Sequence, residues 1–200
     1  KKMIENQHPP YKVAKFRTDS EPTIVGNTLW MDWLENEGIV HEVAAPYSQF
    51  QNGVVERRIG ILGKMTKAML YTSGLPVGDW YHAMEYATYL LNRTFSRSYP
   101  SADGYLSPYQ VFYQRGEEYV PEGVFGCHTL GKVYVKGKMA PQAAECLWLG
   151  KRDNTKADLI RKIATNKEGY SRVNKINPTI FPLTNCDIYR QPSLTEVPQG

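Results

Sequence analysis

The chain has 200 residues, 42% of them hydrophobic and 22% charged, with a formal net charge of +4. That is apolar matter for one large domain or two small ones, and no run approaches the ~18 apolar residues that span a bilayer, so no membrane partner is expected. No signal-peptide pattern opens the chain, and three cysteines (Cys127, Cys146, Cys186) are too few and odd in number for a disulfide scaffold, which suits a reducing compartment.

The first strand is predicted over Tyr11 to Arg17, and Asp19-Ser20-Glu21-Pro22 breaks it. Thr28 to Glu37 reads as a helix with Leu29, Trp30, Trp33 and Leu34 on one side, stopped by Gly38. Ile39 to Ala45 is rich in β-formers and reads as a strand. Pro46 to Gly53 is a polar loop that runs into a helix from Val54 to about Thr72. At about 100° per residue, Val55, Ile61, Leu62, Met65, Ala68 and Met69 share one arc of that helix. Glu56 lies opposite, in the expected first turn, with Gly60, Gly63 and Lys67 near it. Glycine inside a helix costs about 1 kcal/mol relative to alanine, so the two glycines call for either close approach of a nucleic-acid backbone or a tightly packed neighbour.

Asp79 to Asn92 is a further helix with a core-like face of Trp80, Ala83, Met84, Ala87, Leu90 and Leu91; Pro108 to Gln114 is a short one. Composition shifts near Tyr119-Val120-Pro121. Short β-like runs follow at Val124 to Cys127, Lys132 to Lys136, Glu145 to Leu149, Leu159 to Ile163 and Tyr170 to Val173, a spacing that predicts a small barrel. The prolines at 178, 182, 192 and 198 mark a linker or tail. Cys127-His128 is adjacent rather than spaced as metal ligands are, and reads as packing.

Charge is uneven. Residues 1–120 hold 12 Lys+Arg against 13 Asp+Glu, whereas residues 121–200 hold 12 against 7. The basic half, with Lys132, Lys136, Lys156, Arg161 and Arg172 among its cations, suits a polyanion or is a solvated lysine-rich surface.

Two carboxylates, Asp19 at a strand end and Glu56 at a helix start, are the chemistry-bearing pair. Paired oxygens of this kind hold hard divalent metal, the hardware of phosphoryl transfer on nucleic acid. Ser48, Gln49, Gln51 and Asn52 can donate to phosphates or base edges, Gly53 lets the loop reach positive φ, and Arg57, Arg58, Lys64 and Lys67 can meet phosphates.

These residues carry a family resemblance. Arg17-Thr18-Asp19, Gly38-Ile39-Val40-His41 and above all Gln51-Asn52-Gly53-Val54-Val55-Glu56-Arg57 resemble the integrase of copia-type retrotransposons, a member of the DDE polynucleotidyl transferases. Leu75-Pro76 with Trp80, Tyr89 to Arg93 and Ser107-Pro108-Tyr109 continue the likeness, and Cys146-Leu147-Trp148-Leu149-Gly150 resembles the SH3-like barrel that follows the core.

The resemblance implies an α/β chain: the C-terminal portion of an RNase H-like core, a mixed sheet with flanking helices, over 1–118; an SH3-like β domain over 119–180; and a tail over 181–200. It implies three carboxylates holding two Mg2+ (or Mn2+) ions, with Asp19 second and Glu56 third. No aspartate lies between Lys1 and Thr18, so the first is expected upstream, in a longer polyprotein, and the chain alone is expected to be inactive. DNA, as element ends and target, is the implied partner, with a homo-oligomer in the parent protein and a nuclear site of action reached from a cytoplasmic particle. Ser20-Glu21-Pro22 departs from the glycine-bearing sequence usual after the second aspartate. Two other readings stay open: a non-catalytic nucleic-acid-binding remnant, and a nuclease that hydrolyses without joining.

Overall fold

The computed structural model describes residues 1–7, 10–44, 49–114, 123–132, 141–152, 155–172 and 174–184; the side chains of residues 3, 7 and 49–52 fall outside that description. Two compact units divide the chain, Lys1–Gly60 and Ile61–Gly200.

The first unit contains helix α1 (Lys2–Gln7), strand β1 (Lys15–Thr18), the short helix α2 (Pro22–Val25), helix α3 (Thr28–Asn36), strand β2 (Val40–Val43) and the start of α4 (Gln49–Ser73). β1 and β2 pair in parallel, Lys15 with Val40 through to Thr18 with Val43. Asn27 caps α3 by accepting from the Trp30 N–H at 3.1 Å, and Gly38, at φ +63°, ends it in the left-handed region that glycine enters without strain. Phe16 meets Trp30 edge-on at 5.3 Å, and Trp30 stacks on Trp33 at 5.2 Å. Buried apolar side chains are sparse here: Leu34, Ile39 and Ala44, with Val40 and Val43 of the sheet exposed. A parallel pair normally has both faces covered.

The second unit holds the rest of α4, a 3-10 turn (Val77–Asp79), helix α5 (Trp80–Arg93), the two-residue strands β3 (Pro100–Ser101) and β4 (Gly104–Tyr105), helix α6 (Pro108–Tyr113) and strands β5 (His128–Lys132), β6 (Ala143–Lys151), β7 (Asp158–Lys162), β8 (Glu168–Ser171) and β9 (Asn174–Asn177). Ser107 opens α6 with a reciprocal capping box to Gln110, and Pro108 takes the first helical position. The last five strands form one antiparallel sheet in the order β8-β7-β6-β5-β9. The expected closed barrel is therefore an open order among the described residues: no ladder joins β8 to β9, although the Lys132 N–H of β5 donates to Ser171 Oγ of β8 at 3.2 Å, so the sheet curls.

Helix and sheet share one core in this unit. Trp148, Phe125, Leu149, Leu159 and Ile160 of the β region pack with Leu70, Leu75, Ala83, Tyr86 and Tyr89 of the helices. Trp148 meets Tyr86 edge-on at 5.1 Å. Two glycines permit the approach. A Cβ on Gly150, at φ +99°, would lie 2.4 Å from Tyr86 Cδ2, and one on Gly126, at φ +78°, would lie 2.2 Å from Ser73 Cβ.

Several sequence expectations shift. α4 begins at Gln49, five residues before the predicted start, so Gln49 to Gly53 is helix rather than loop. Its buried positions are Thr66, Leu70 and Ser73, while Val55 and Ile61 of the predicted apolar arc are exposed. Trp80, expected in the core, is 53% exposed, and the inward face of α5 is His82, Ala83, Tyr86, Ala87 and Tyr89. Val124 to Cys127 is turn rather than strand, and most of the Lys132 to Lys136 run lies outside the described residues. β9 has no counterpart among the predicted strands. Leu183 is buried, and the backbone of Leu183 and Thr184 lies against Gly74, so the predicted tail starts packed; its residues 185–200 lie outside the described residues.

Candidate functional site

The parallel pairing of β1 and β2 sets the site. Parallel strands end at the same edge of a sheet, and the ladder extends one bond further, from the Ala44 N–H to Thr18 O at 2.9 Å. Asp19, the residue after β1, and Ala44, the residue after β2, therefore leave from one end. The Thr18 hydroxyl donates to Asp19 O at 3.0 Å and lies 2.8 Å from His41 Nε2, which is then the donor to it. Asp19 itself is exposed, and among the described residues its carboxylate is in no hydrogen bond or ion pair.

Glu56 is also exposed on α4. With the helix starting at Gln49, Glu56 is its eighth residue, and no acidic residue occupies the first turn. The expected dipole stabilisation of Glu56 therefore does not apply, since that effect fades within the first turn. Gly53 sits inside the helix and is not among the residues with positive φ, so its expected role as a left-handed loop hinge is corrected to that of a helical residue. Gln49, Gln51 and Asn52 belong to the first turn of α4, with side chains outside the described set; Ser48 lies outside the described residues altogether.

Arg57 is exposed, Arg58 half-buried, and Lys64 and Lys67 are exposed on the part of α4 that belongs to the second unit. A Cβ added at Gly53, Gly60 or Gly63 would meet no heavy atom within 4 Å. A tightly packed neighbour is thus not what Gly60 and Gly63 serve among the described residues.

Lys15 and Arg17 face Glu42 across the β1–β2 ladder, at 2.7 and 2.8 Å. The hydrogen bond from Lys15, joined by that from Arg17, holds the Glu42 carboxyl below the usual carboxylate range. These two cations are engaged with a carboxylate, whereas Arg57, Lys64 and Lys67 of α4 face solvent.

The donor chemistry at Asp19 and Glu56 fits magnesium in kind: two exposed carboxylates offering hard oxygen. It does not make a complete cage, for among the described residues no group of three His, Cys, Asp or Glu converges.

No protein-family model matches the chain. The retrovirus-related Pol polyprotein from transposon RE1 of Arabidopsis thaliana is 26% identical to it over 188 residues, covering 92% of this chain and 12% of that protein. The corresponding polyprotein from transposon RE2 of the same plant is 27% identical over 190 residues, 94% of this chain and 12% of its own length. That from transposon TNT 1-94 of Nicotiana tabacum is 30% identical over 144 residues, 71% and 10%. The chain is a relative of the transposon Pol polyproteins. It spans about a tenth of the length of these curated relatives. The cryo-EM structure of a simian T-cell lymphotropic virus intasome, in complex with the PP2A regulatory subunit B56 gamma, matches at 16% identity and a TM-score of 0.40, over 82% of this chain and 57% of that one. The resemblance to a copia-type retrotransposon integrase is consistent with these relatives, which are retrovirus-related Pol polyproteins of transposons.

Sequence reading of this Pol relative missed one polar constellation. Arg161, counted among the basic residues suited to a polyanion, is buried and bidentate to Asp79, at 2.8 and 2.5 Å. It also donates to Glu168 at 2.7 Å, its register partner across the β7–β8 hairpin. The hairpin pair of opposite charges was open to inference from sequence; the partnership with Asp79, 82 residues away, was not. Lys132, Lys156, Arg172 and Lys175 remain exposed.

Proposed function

We propose that the chain is a section of a retrotransposon integrase that carries two of its three metal-holding carboxylates, Asp19 and Glu56. The carrying observation is the placement of both as exposed acids, one at the shared C-terminal edge of a parallel strand pair and the other on the helix that follows that pair. Similarity to retrovirus-related Pol polyproteins of transposons supports the reading.

In this reading the first unit and the helices after it are the C-terminal portion of an RNase H-like core, with the core over 1–118. The five-stranded sheet within 119–180 is the SH3-like domain. A four-strand meander whose fifth strand returns to pair with the first supports that assignment.

Bound Mg2+ or Mn2+ would activate the attacking oxygen, water in 3′-end trimming and a 3′-hydroxyl in strand transfer, and stabilise the leaving oxygen. Asp19 and Glu56 hold metal and transfer no proton. Arg57, Lys64 and Lys67 neutralise backbone phosphates along α4, and the first turn of that helix, Gln49 to Asn52 after Ser48, contacts DNA. A Cβ at Gly60, about one turn from Glu56, would meet no heavy atom within 4 Å, which suits close approach of a sugar-phosphate backbone there. The parent protein acts on element ends and target DNA as a homo-oligomer, in the nucleus.

The test is Glu56→Gln and Asp19→Asn in the complete protein, assayed for joining of a labelled DNA 3′ end and, in parallel, for DNA affinity. The expected result is loss of joining by at least about 10²-fold with affinity nearly intact. Unchanged joining removes the two residues from the site. DNA binding with no joining by the unmutated complete protein favours the binding-remnant reading instead.

A further inference from the structure

Within the second unit, a chain of charges ties the helical layer to the sheet. Arg161 of β7 links Asp79, just before α5, to Glu168 of β8. His82, on the first turn of α5 and 4% exposed, continues the chain: its Nε2 lies 2.8 Å from Glu168 Oε1, and its Nδ1 lies 2.8 Å from Arg152 Nη2, just past β6. Arg152 in turn pairs with Glu85, one turn further along α5.

The two contacts of the ring fix its protonation. A guanidinium has donors only, so Nδ1 must present a lone pair to Arg152. Glu168, held by Arg161, is an acceptor, so Nε2 must carry the hydrogen. Only the neutral Nε2–H form satisfies both contacts. A proton on Nδ1 would set N–H against N–H, and positive charge against positive charge, at a site with little water.

We propose that His82 is an acid-sensitive latch: as a neutral ring it bridges Arg152 and Glu168 and fastens α5 to the sheet, and on protonation it expels Arg152 and loosens that joint. This inference stands independently of the integrase reading.

The groups around the ring favour the neutral form. Tyr81 lies against it at 3.8 Å between ring centres, Glu85 and Asp79 come from the helical side, Arg161, Glu168 and Tyr170 from the sheet, and Arg152 from the end of β6. Burial pushes the imidazole down from its ordinary range, the two arginines push the same way, and the Glu168 carboxylate opposes them without prevailing. The sign follows. A histidine whose folded value lies below its unfolded one is protonated first in the unfolded chain. Its contribution is complete above the ordinary value of 6.5, falls as pH drops from there to the folded value, and is flat below.

The test is a long-range 1H–15N spectrum of the labelled 200-residue chain across pH 5 to 8, with unfolding temperatures measured at the same points. At pH 7.5 the His82 ring is expected to carry its proton on Nε2 alone, and the unfolding temperature to fall by several degrees by pH 5.5, with a shallower fall in His82→Gln. Arg152→Gln, which removes the cation facing Nδ1, is expected to raise the titration midpoint of the ring by about one unit. A proton on Nδ1 at pH 7.5 overturns the proposal, as does a midpoint at or above the ordinary value that Arg152→Gln leaves in place. If His82→Gln does not fold, the wild-type spectrum and the Arg152→Gln midpoint still decide.

Discussion

The two units of this chain are built to different standards. In Lys1–Gly60 the buried apolar side chains are few, the sheet is a single parallel pair with exposed valines, and the pairs of Lys15 and Arg17 with Glu42 lie at the surface. In Ile61–Gly200 an aromatic and aliphatic core joins helices to a five-stranded sheet, glycines admit close contact, and the strongest ion pair is buried. The two acids proposed to hold metal, Asp19 and Glu56, sit on the thinly packed unit. The unit with the large core carries the exposed cations Lys132, Lys156, Arg172 and Lys175.

Perturbation should separate the two. Arg161→Met leaves Asp79 buried without its partner and is expected to destabilise the second unit by roughly 3–5 kcal/mol, read by denaturant unfolding. Glu42→Ala in the first unit, losing only an exposed cluster, is expected to leave the midpoint unmoved. Equal losses from the two changes would erase the contrast.

Glycine substitutions give the next largest effect, with opposite signs. Gly150→Ala must drive a Cβ into Tyr86 at positive φ and is expected to lower stability by about 2–4 kcal/mol. Gly60→Ala and Gly63→Ala place a methyl in open space on a helix and are expected to raise stability by about 0.5–1 kcal/mol each. If the same two changes weaken DNA binding by the complete protein, close approach of a backbone explains why glycine stands there. Unchanged affinity assigns those glycines no such role.

Acid supplies a gentler probe. Burial alone would raise the Glu168 carboxyl, but hydrogen bonds from Arg161 and His82 outweigh it and hold it below its ordinary 4.5. A lowered carboxyl stabilises above its unfolded value, and that contribution is lost as pH falls through the folded one. Glu168→Gln is therefore expected to flatten the stability loss below about pH 4.5, measured by unfolding across pH 2 to 7.

How much of this was legible in the sequence depended on whether the signal was local. The helix at Thr28–Asn36 is legible from its apolar face and the Gly38 stop, and α6 is legible as a short helix from Pro108. α5 is legible as a helix, but not its buried face: His82 is polar and Trp80 apolar, and hydrogen bonding of the neutral ring in one case and exposure in the other decide the matter. The start of α4 was misplaced because Pro46 and Gly53 read as breakers, although Gly53 adopts helical backbone. β9, Asn-Lys-Ile-Asn, lacks the alternation of a strand and owes its existence to pairing with β5. Asp19 and Glu56 are candidates because each stands in a motif of the sequence. Arg161 with Asp79 was not legible, because only the fold brings them together.

Metal rescue tests the central claim most directly. Asp19→Cys and Glu56→Cys, made separately in the complete protein, replace hard oxygen by soft sulfur at one ligand position. If both residues hold metal, each variant is expected to lose strand transfer in Mg2+ and to recover part of it in Mn2+ or Cd2+, with DNA affinity nearly constant. Loss of activity that no thiophilic metal restores, or full activity in Mg2+, would contradict the account.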